Sequence, residues 1–173
     1  MCEKDGQNLV LIGMPGSGKS TVGALAARAL GRAFVDMDAW IVSHEGESIA
    51  AMFARGEAVF REAETRACAV LGKMHGLVIA CGGGAVLREG NVALLRQNGR
   101  IVYLDRPVEH IARDIDYASR PLLKEEGLQK LKAQYEARHA VYEAAADARI
   151  ANTGALETAV QQCIAQIQGG KTQ

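Results

Sequence analysis

Lys19 and Ser20 close the run Gly13-Met14-Pro15-Gly16-Ser17-Gly18-Lys19-Ser20. It fits G-x-x-x-x-G-K-[ST], the phosphate-binding loop. The apolar run Leu9-Val10-Leu11-Ile12 before it reads as a buried strand, and Thr21 to Leu30 after it reads as a helix closed by Gly31. Strand, glycine loop and helix together are the setting that gives this motif its meaning. Glycines let successive N–H groups curl around a polyphosphate, and the helix N-terminus adds a favourable dipole. The loop residues offered to a nucleotide are Gly16, Ser17, Gly18, Lys19, Ser20 and Thr21. Lys19 is expected to reach the β- and γ-phosphates, and the Ser20 hydroxyl to hold Mg2+.

Asp36-Met37-Asp38 ends the next strand-like run. Positions i and i+2 of a strand point to the same side. Beside a phosphate loop, one carboxylate, Asp36, suits Mg2+ through water. The other, Asp38, suits a substrate hydroxyl, which needs a base or an orienting acceptor to attack phosphorus. Asp38 as the N-cap of the following helix is the alternative, and one residue can do both. Arg61 and Glu64 stand at i and i+3, side by side on a helix. Arg61 offers a planar fork to a carboxylate, with Glu64 to hold the fork, although a solvated helix face fits the same pattern. Phe53 and Phe60 read as core.

Three successive glycines, Gly82, Gly83 and Gly84, follow Cys81 at the end of a strand. They suit a backbone that something must approach closely, or simply a flexible turn. Cys81 reads as a small buried thiol. Arg113 and Arg120, with Pro121-Leu122-Leu123-Lys124, suggest a flap that carries positive charge and excludes water, or an ordinary basic loop. Arg138 shares a helix face with Leu128, Leu131, Tyr135 and Tyr142. His44, His75, His110 and His139 have no metal-binding spacing and read as surface residues.

These groups need a scaffold. Strands are expected at Leu9–Gly13, Ala33–Asp36, Leu77–Cys81, Ile101–Leu104 and Ala148–Ala151, each short and apolar enough to be covered on both faces. Helices are expected at Asp38–Glu45, Ser48–Arg55, Glu57–Lys73, Gly90–Gln97, Val108–Ile115, Gly127–Ala146 and Leu156–Gln168, with a frayed tail from Gly169 to Gln173. The alternation implies a five-stranded parallel sheet between helices, with ligands beyond the carboxyl ends of the strands.

The 173 residues suit one domain. Twenty basic and twenty acidic residues cancel, which argues against nucleic-acid binding and against an anionic membrane surface. Cys2, Cys68, Cys81 and Cys163 form no C-x-x-C and read as reduced thiols. No signal core and no bilayer-length apolar run occurs, so a cytoplasmic protein is expected.

In combination these motifs resemble the shikimate kinases, small phosphate-loop kinases of aromatic amino-acid biosynthesis, from about Leu9 to Thr153. The resemblance implies an α/β three-layer sandwich of the P-loop NTPase, nucleoside-monophosphate-kinase-like class. It implies a single kinase domain over 1–173, acceptor-binding helices at about 38–73 and a mobile lid at about 113–124. It implies ATP as co-substrate, Mg2+, and transfer of the γ-phosphoryl group to the 3-hydroxyl of shikimate. Under it, Asp36 lies near Mg2+, Asp38 binds the acceptor hydroxyls as the base, and Lys19 and Arg120 stabilise the transferred phosphate. Arg113 lies near adenine. Phe60-Arg61 with Glu64, the Gly82–Gly84 turn, and Arg138 with Tyr142 match the acceptor site, where Arg61 and Arg138 meet one carboxylate.

The chain departs from the family pattern at Cys81, where Thr or Ser is usual, at Ala140, where Pro is usual, and in the acidic pair Asp114 and Asp116. A gluconate-type kinase and a nucleotide-binding regulatory module without turnover are the rival readings. A monomer is expected, since the family architecture needs no partner to complete its site.

Overall fold

The computed structural model describes residues 6–114 and 122–168. The readings made for Cys2, Asp116, Arg120, Pro121 and the tail from Gly169 lie outside the described residues. Five strands carry the fold: β1 (Asn8–Ile12), β2 (Ala33–Asp36), β3 (Leu77–Ala80), β4 (Gly99–Asp105) and β5 (Ala148–Ala151). They lie in the order β2-β3-β1-β4-β5, every neighbouring pair parallel. Leu9 stands beside Val78 on one side and Arg100 on the other, and Asp36 stands beside Ala80. This order brings the carboxyl ends of β2, β3 and β1 together, where the Asp36 carboxylate, the glycine turn and the phosphate loop all emerge.

The helices are α1 (Lys19–Leu30), α2 (Met37–Glu45), α3 (Ile49–Arg55), α4 (Glu57–Leu71), α5 (Glu89–Arg96), α6 (Val108–Asp114), α7 (Leu122–Ala145) and α8 (Leu156–Gln168). Alternation along β1 feeds two cores. Leu9 and Leu11 pack with Val22 and Ala26 of α1 and Ala159 and Cys163 of α8. Val10 and Ile12 pack on the other face with Phe60, Leu71, Leu95 and Tyr142. The result is three layers.

In α4, Phe60, Ala63, Ala67, Cys68 and Leu71 recur at helical spacing and bury one stripe; Glu64 falls on that same stripe. Gly31 ends α1 in the left-handed region (φ 65°), and its N–H returns to the Ala27 and Arg28 carbonyls.

Four expectations change. α7 begins at Leu122 rather than Gly127, so 122–124 of the expected lid are helical. The strands β2 and β5 are sheet edges and are only partly covered, because each has one neighbour and helices flank only the central strands fully. Phe53 is exposed, resting against the buried Phe60 at 4.8 Å between ring centroids. His110 and His139 are half-buried rather than on the surface; α7 presses His139 against Tyr103, whose hydroxyl lies 3.0 Å from Nδ1.

Candidate active site

The phosphate loop is already shaped as a cradle. Gly18 caps α1 with φ 95°, a conformation that glycine adopts without strain. Lys19 is buried, and its Nζ donates to the Gly13 and Met14 carbonyls at 2.9 and 2.8 Å. The ammonium is thus folded over its own loop. Burial pulls its pKa down to about 8, against the opposing pull of Cys81, Asp38 and Asp36. The Ser17 hydroxyl is buried without a partner. Two residues that the sequence analysis passed over support the loop from outside. Asn152 Nδ2 donates to the Ser17 carbonyl at 2.9 Å, and Arg106 Nη1 donates to the Gly16 carbonyl at 3.1 Å. Their only sequence signal is position, each just beyond the carboxyl end of a strand.

Ser20 Oγ donates to Asp36 Oδ2 at 2.7 Å, so hydroxyl and carboxylate share one spot at the loop's end. Asp36 Oδ1 accepts from the Ala39 N–H and caps α2. The capping role offered to Asp38 therefore belongs to Asp36. The two carboxylates do not share a strand end either: β2 stops at Asp36, and Asp38 lies in the first turn of α2. The helical turn leaves Asp38 Oδ1 buried and, among the described residues, unpartnered. Burial raises the Asp38 pKa, and the neighbouring Asp36 raises it further, while Lys19 and Arg61 act against them.

Opposite Asp38, α4 presents Glu64, almost fully buried, with Oε1 also unpartnered. Its Oε2 accepts from Arg61 Nη1 at 2.6 Å, and Glu57 Oε1 accepts from Arg61 Nε and Nη2 at 3.1 and 2.9 Å. This is a held fork, not the solvated face that the pattern also allowed. The glycine turn accounts for the rest. A Cβ on Gly82 would stand 2.7 Å from Asp38 Oδ1 and 3.0 Å from Glu64 Oε1. One on Gly83 would stand 2.8 Å from Pro15 Cδ, and one on Gly84 would collide with the Arg61 guanidinium. From α7, Arg138 Nη1 reaches toward the Gly83 carbonyl at 3.4 Å, and Tyr142 Oη donates to it at 2.6 Å.

Two acids, two guanidinia and a glycine turn therefore meet beside the phosphate loop, although their residues come from four separate stretches of chain. Arg113 is exposed near the end of α6 and meets none of them. Arg120 lies outside the described residues. Cys81 is buried, with its thiol pushed well up by burial, and Ala140 is exposed on α7. Asp114 of the unusual acidic pair holds Arg106 Nη2 at 2.6 Å.

A family model described as shikimate kinase matches residues 15–168. The chain belongs to the shikimate kinase family. The shikimate kinase of Geobacter sulfurreducens is 48% identical over 153 residues, covering 87% of this chain and 84% of that protein. A solved structure of the shikimate kinase from Acinetobacter baumannii in complex with shikimate is 36% identical, with a TM-score of 0.85 over 96% of each chain. A gluconokinase from Sinorhizobium meliloti, 18% identical with a TM-score of 0.62 over 96% of this chain and 93% of that one, shares the fold alone. Membership of the shikimate kinase family thus accounts for the phosphate loop and the parallel sheet together.

Proposed function

We propose the following division of labour for transfer of the ATP γ-phosphoryl group to the 3-hydroxyl of shikimate, giving shikimate 3-phosphate and ADP. The observation that carries it is the pairing of Arg61 and Arg138 around the Gly82–Gly84 turn, with Asp38 Oδ1 left free between them and the phosphate loop. Two guanidinia suit a carboxylate on the acceptor, held through planar donors. Asp38 Oδ1 receives the hydroxyl proton; its raised pKa moves it toward the working pH of a general base. The backbone of Gly82, Gly83 and Gly84 lets the ring lie close to the turn, and Glu64 holds Arg61 in place. Positioning of this kind supplies much of the catalysis in phosphoryl transfer.

Gly16, Ser17, Gly18, Lys19, Ser20 and Thr21 take the phosphates, Lys19 leaving its two carbonyls for the β- and γ-oxygens. Arg113 serves adenine, and Arg120 brings cation to the transferred group on closure of a lid around 113–124. Mg2+ fits the donor set: the Ser20 hydroxyl and the Asp36 carboxylate are hard oxygen ligands side by side. When bound, it neutralises charge on the phosphates. Residues 1–173 act as one kinase domain and as a monomer, every group named here coming from a single chain. Among the described residues no helix is long and apolar enough to cross a membrane; a cytoplasmic enzyme that binds neither membrane nor nucleic acid accords with the balanced charge.

Coupled ADP release with Mg2+–ATP, comparing shikimate, gluconate and no acceptor, tests this reading. Turnover with shikimate alone is expected. Turnover with gluconate alone would reassign the arginines, and nucleotide binding without turnover would leave a regulatory module.

A further inference from the structure

We infer that Tyr142 is a positioning residue of the acceptor site: its hydroxyl occupies the Gly83 carbonyl and so keeps the Arg138 guanidinium available to the substrate carboxylate. Tyr142 is fully buried on α7, one helical turn beyond Arg138. Its Oη donates to the Gly83 carbonyl at 2.6 Å, whereas Arg138 Nη1 approaches the same oxygen only at 3.4 Å. A distance of 2.6 Å is a strong hydrogen bond; one of 3.4 Å is marginal. Tyrosine hydroxyl, arginine fork and carbonyl thus form one cluster around the Gly83 oxygen. With its carboxamide oxygen turned to Arg138, Gln134 would accept from Nη2 and Nη1 at 3.1 and 3.0 Å.

The placement of Gly83 makes its carbonyl consequential. The turn runs close to Pro15 of the phosphate loop, since a Cβ on Gly83 would stand 2.8 Å from Pro15 Cδ. The Tyr142 hydroxyl also lies 3.9 Å from Met14 Sδ, within the same loop. Removal of the hydroxyl leaves a backbone acceptor unsatisfied at the edge of the site. The nearest donor able to satisfy it is Arg138. A guanidinium drawn onto the backbone is then less free to meet a carboxylate bidentately. Tyr142 thus acts through Arg138 and the turn and needs no contact with the acceptor itself.

This inference rests on the acceptor reading above, and the experiment separates the two. Tyr142→Phe keeps the ring and its packing. Tyr103→Phe serves as control: Tyr103 is also fully buried and packs on Tyr142 at 5.2 Å between centroids, but its hydroxyl donates to Asp105 at 2.9 Å. KM for shikimate, kcat, ATP affinity and Tm are measured for both. Tyr142→Phe is expected to raise the shikimate KM about tenfold, with ATP affinity within about twofold of wild type. Tyr103→Phe is expected to leave the shikimate KM unchanged. In an Arg138→Lys background, the further rise caused by Tyr142→Phe should shrink, since the two act as one unit. An unchanged shikimate KM in Tyr142→Phe, or an equal rise in Tyr103→Phe, overturns the inference while the acceptor reading stands. Absence of shikimate turnover in the wild-type enzyme overturns both.

Discussion

Asp38 Oδ1 and Glu64 Oε1, from two different helices, converge on the side of Gly82 that a Cβ would occupy. Both oxygens are buried and, among the described residues, without partners, and a Cβ at Gly82 would stand within 3.0 Å of each. Two unpaired carboxylate oxygens over one glycine form a pocket that only a hydrogen-bond donor completes, and a substrate hydroxyl is such a donor. Gly82 itself has an ordinary φ, so alanine there is compatible with the backbone. Gly82→Ala should therefore fold, bind ATP as wild type does, and lose about 100-fold in kcat/KM for shikimate, because displacement of either carboxylate by about 1 Å spoils the geometry. Wild-type kcat/KM in this variant would show that the acids lie outside the reaction path.

Asp38 separates stability from activity. Burial raises its pKa from 3.8, so the ionised form is penalised in the folded protein. The penalty is absent below the unfolded value, grows as pH rises from there toward the raised folded value, and is complete above it. Asp38→Asn removes it. The variant should have a higher Tm than wild type at pH 7, and the difference should vanish toward pH 4. Its kcat should fall by about 100- to 10,000-fold, the range typical for loss of a general base, while ATP binding stays intact. Calorimetry across pH, beside single-turnover kinetics, checks both. A Tm no higher than wild type at neutral pH, or loss of ATP binding, contradicts the role.

The phosphate loop, the sheet and the order of elements were legible because each is a local signal: a fixed motif, short apolar runs, glycines at helix ends. The proposed acceptor site was legible only in part. The spacing of Arg61 and Glu64 left a held fork and a solvated face both open, yet Glu64 keeps step with Phe60, Ala63, Ala67, Cys68 and Leu71, and a carboxylate on a buried stripe is itself a sign of function. Attention to phase rather than spacing would have found it. That Asp36 rather than Asp38 caps α2 depends on where β2 becomes α2, a boundary that one residue decides. Arg106 and Asn152 had no motif at all. Their partners are loop carbonyls 90 and 135 residues away, and only the parallel sheet order brings them together.

Arg106 bridges the Gly16 carbonyl, at 3.1 Å, and the Asp114 carboxylate, at 2.6 Å, and so ties the phosphate loop to the end of α6. The Asp114 side chain is largely exposed, so the ion pair should contribute less than about 1 kcal/mol to stability. Its worth lies in holding Gly16. Arg106→Ala is expected to leave Tm nearly unchanged and to raise the KM for ATP about fivefold, equivalent to about 1 kcal/mol, with the shikimate KM unaffected. Steady-state kinetics with each substrate varied in turn decides this. A rise in the shikimate KM alone would place Arg106 on the wrong side of the site.

Lys19 should reveal itself as a proton taken up on nucleotide binding. In the free protein, burial lowers its pKa from 10.5 to about 8, so above pH 8 much of it is neutral. For stability, the unfolded chain holds more protons than the folded one between these two values, so this group makes the free protein more stable as pH rises through that window. For binding, the sign is opposite. Triphosphate oxygens beside Nζ favour the ammonium and raise its pKa again. Titration of Mg2+–ATP into the protein at a pH of about 8.5, in buffers of differing ionisation enthalpy, should show net uptake approaching one proton, and none at a pH of about 6.5, where the lysine is already charged. Lys19→Arg, which stays charged throughout, should abolish the uptake. Heats that do not depend on the buffer at the higher pH would mean that the ammonium is charged before the nucleotide arrives, its two loop carbonyls and neighbouring carboxylates outweighing burial.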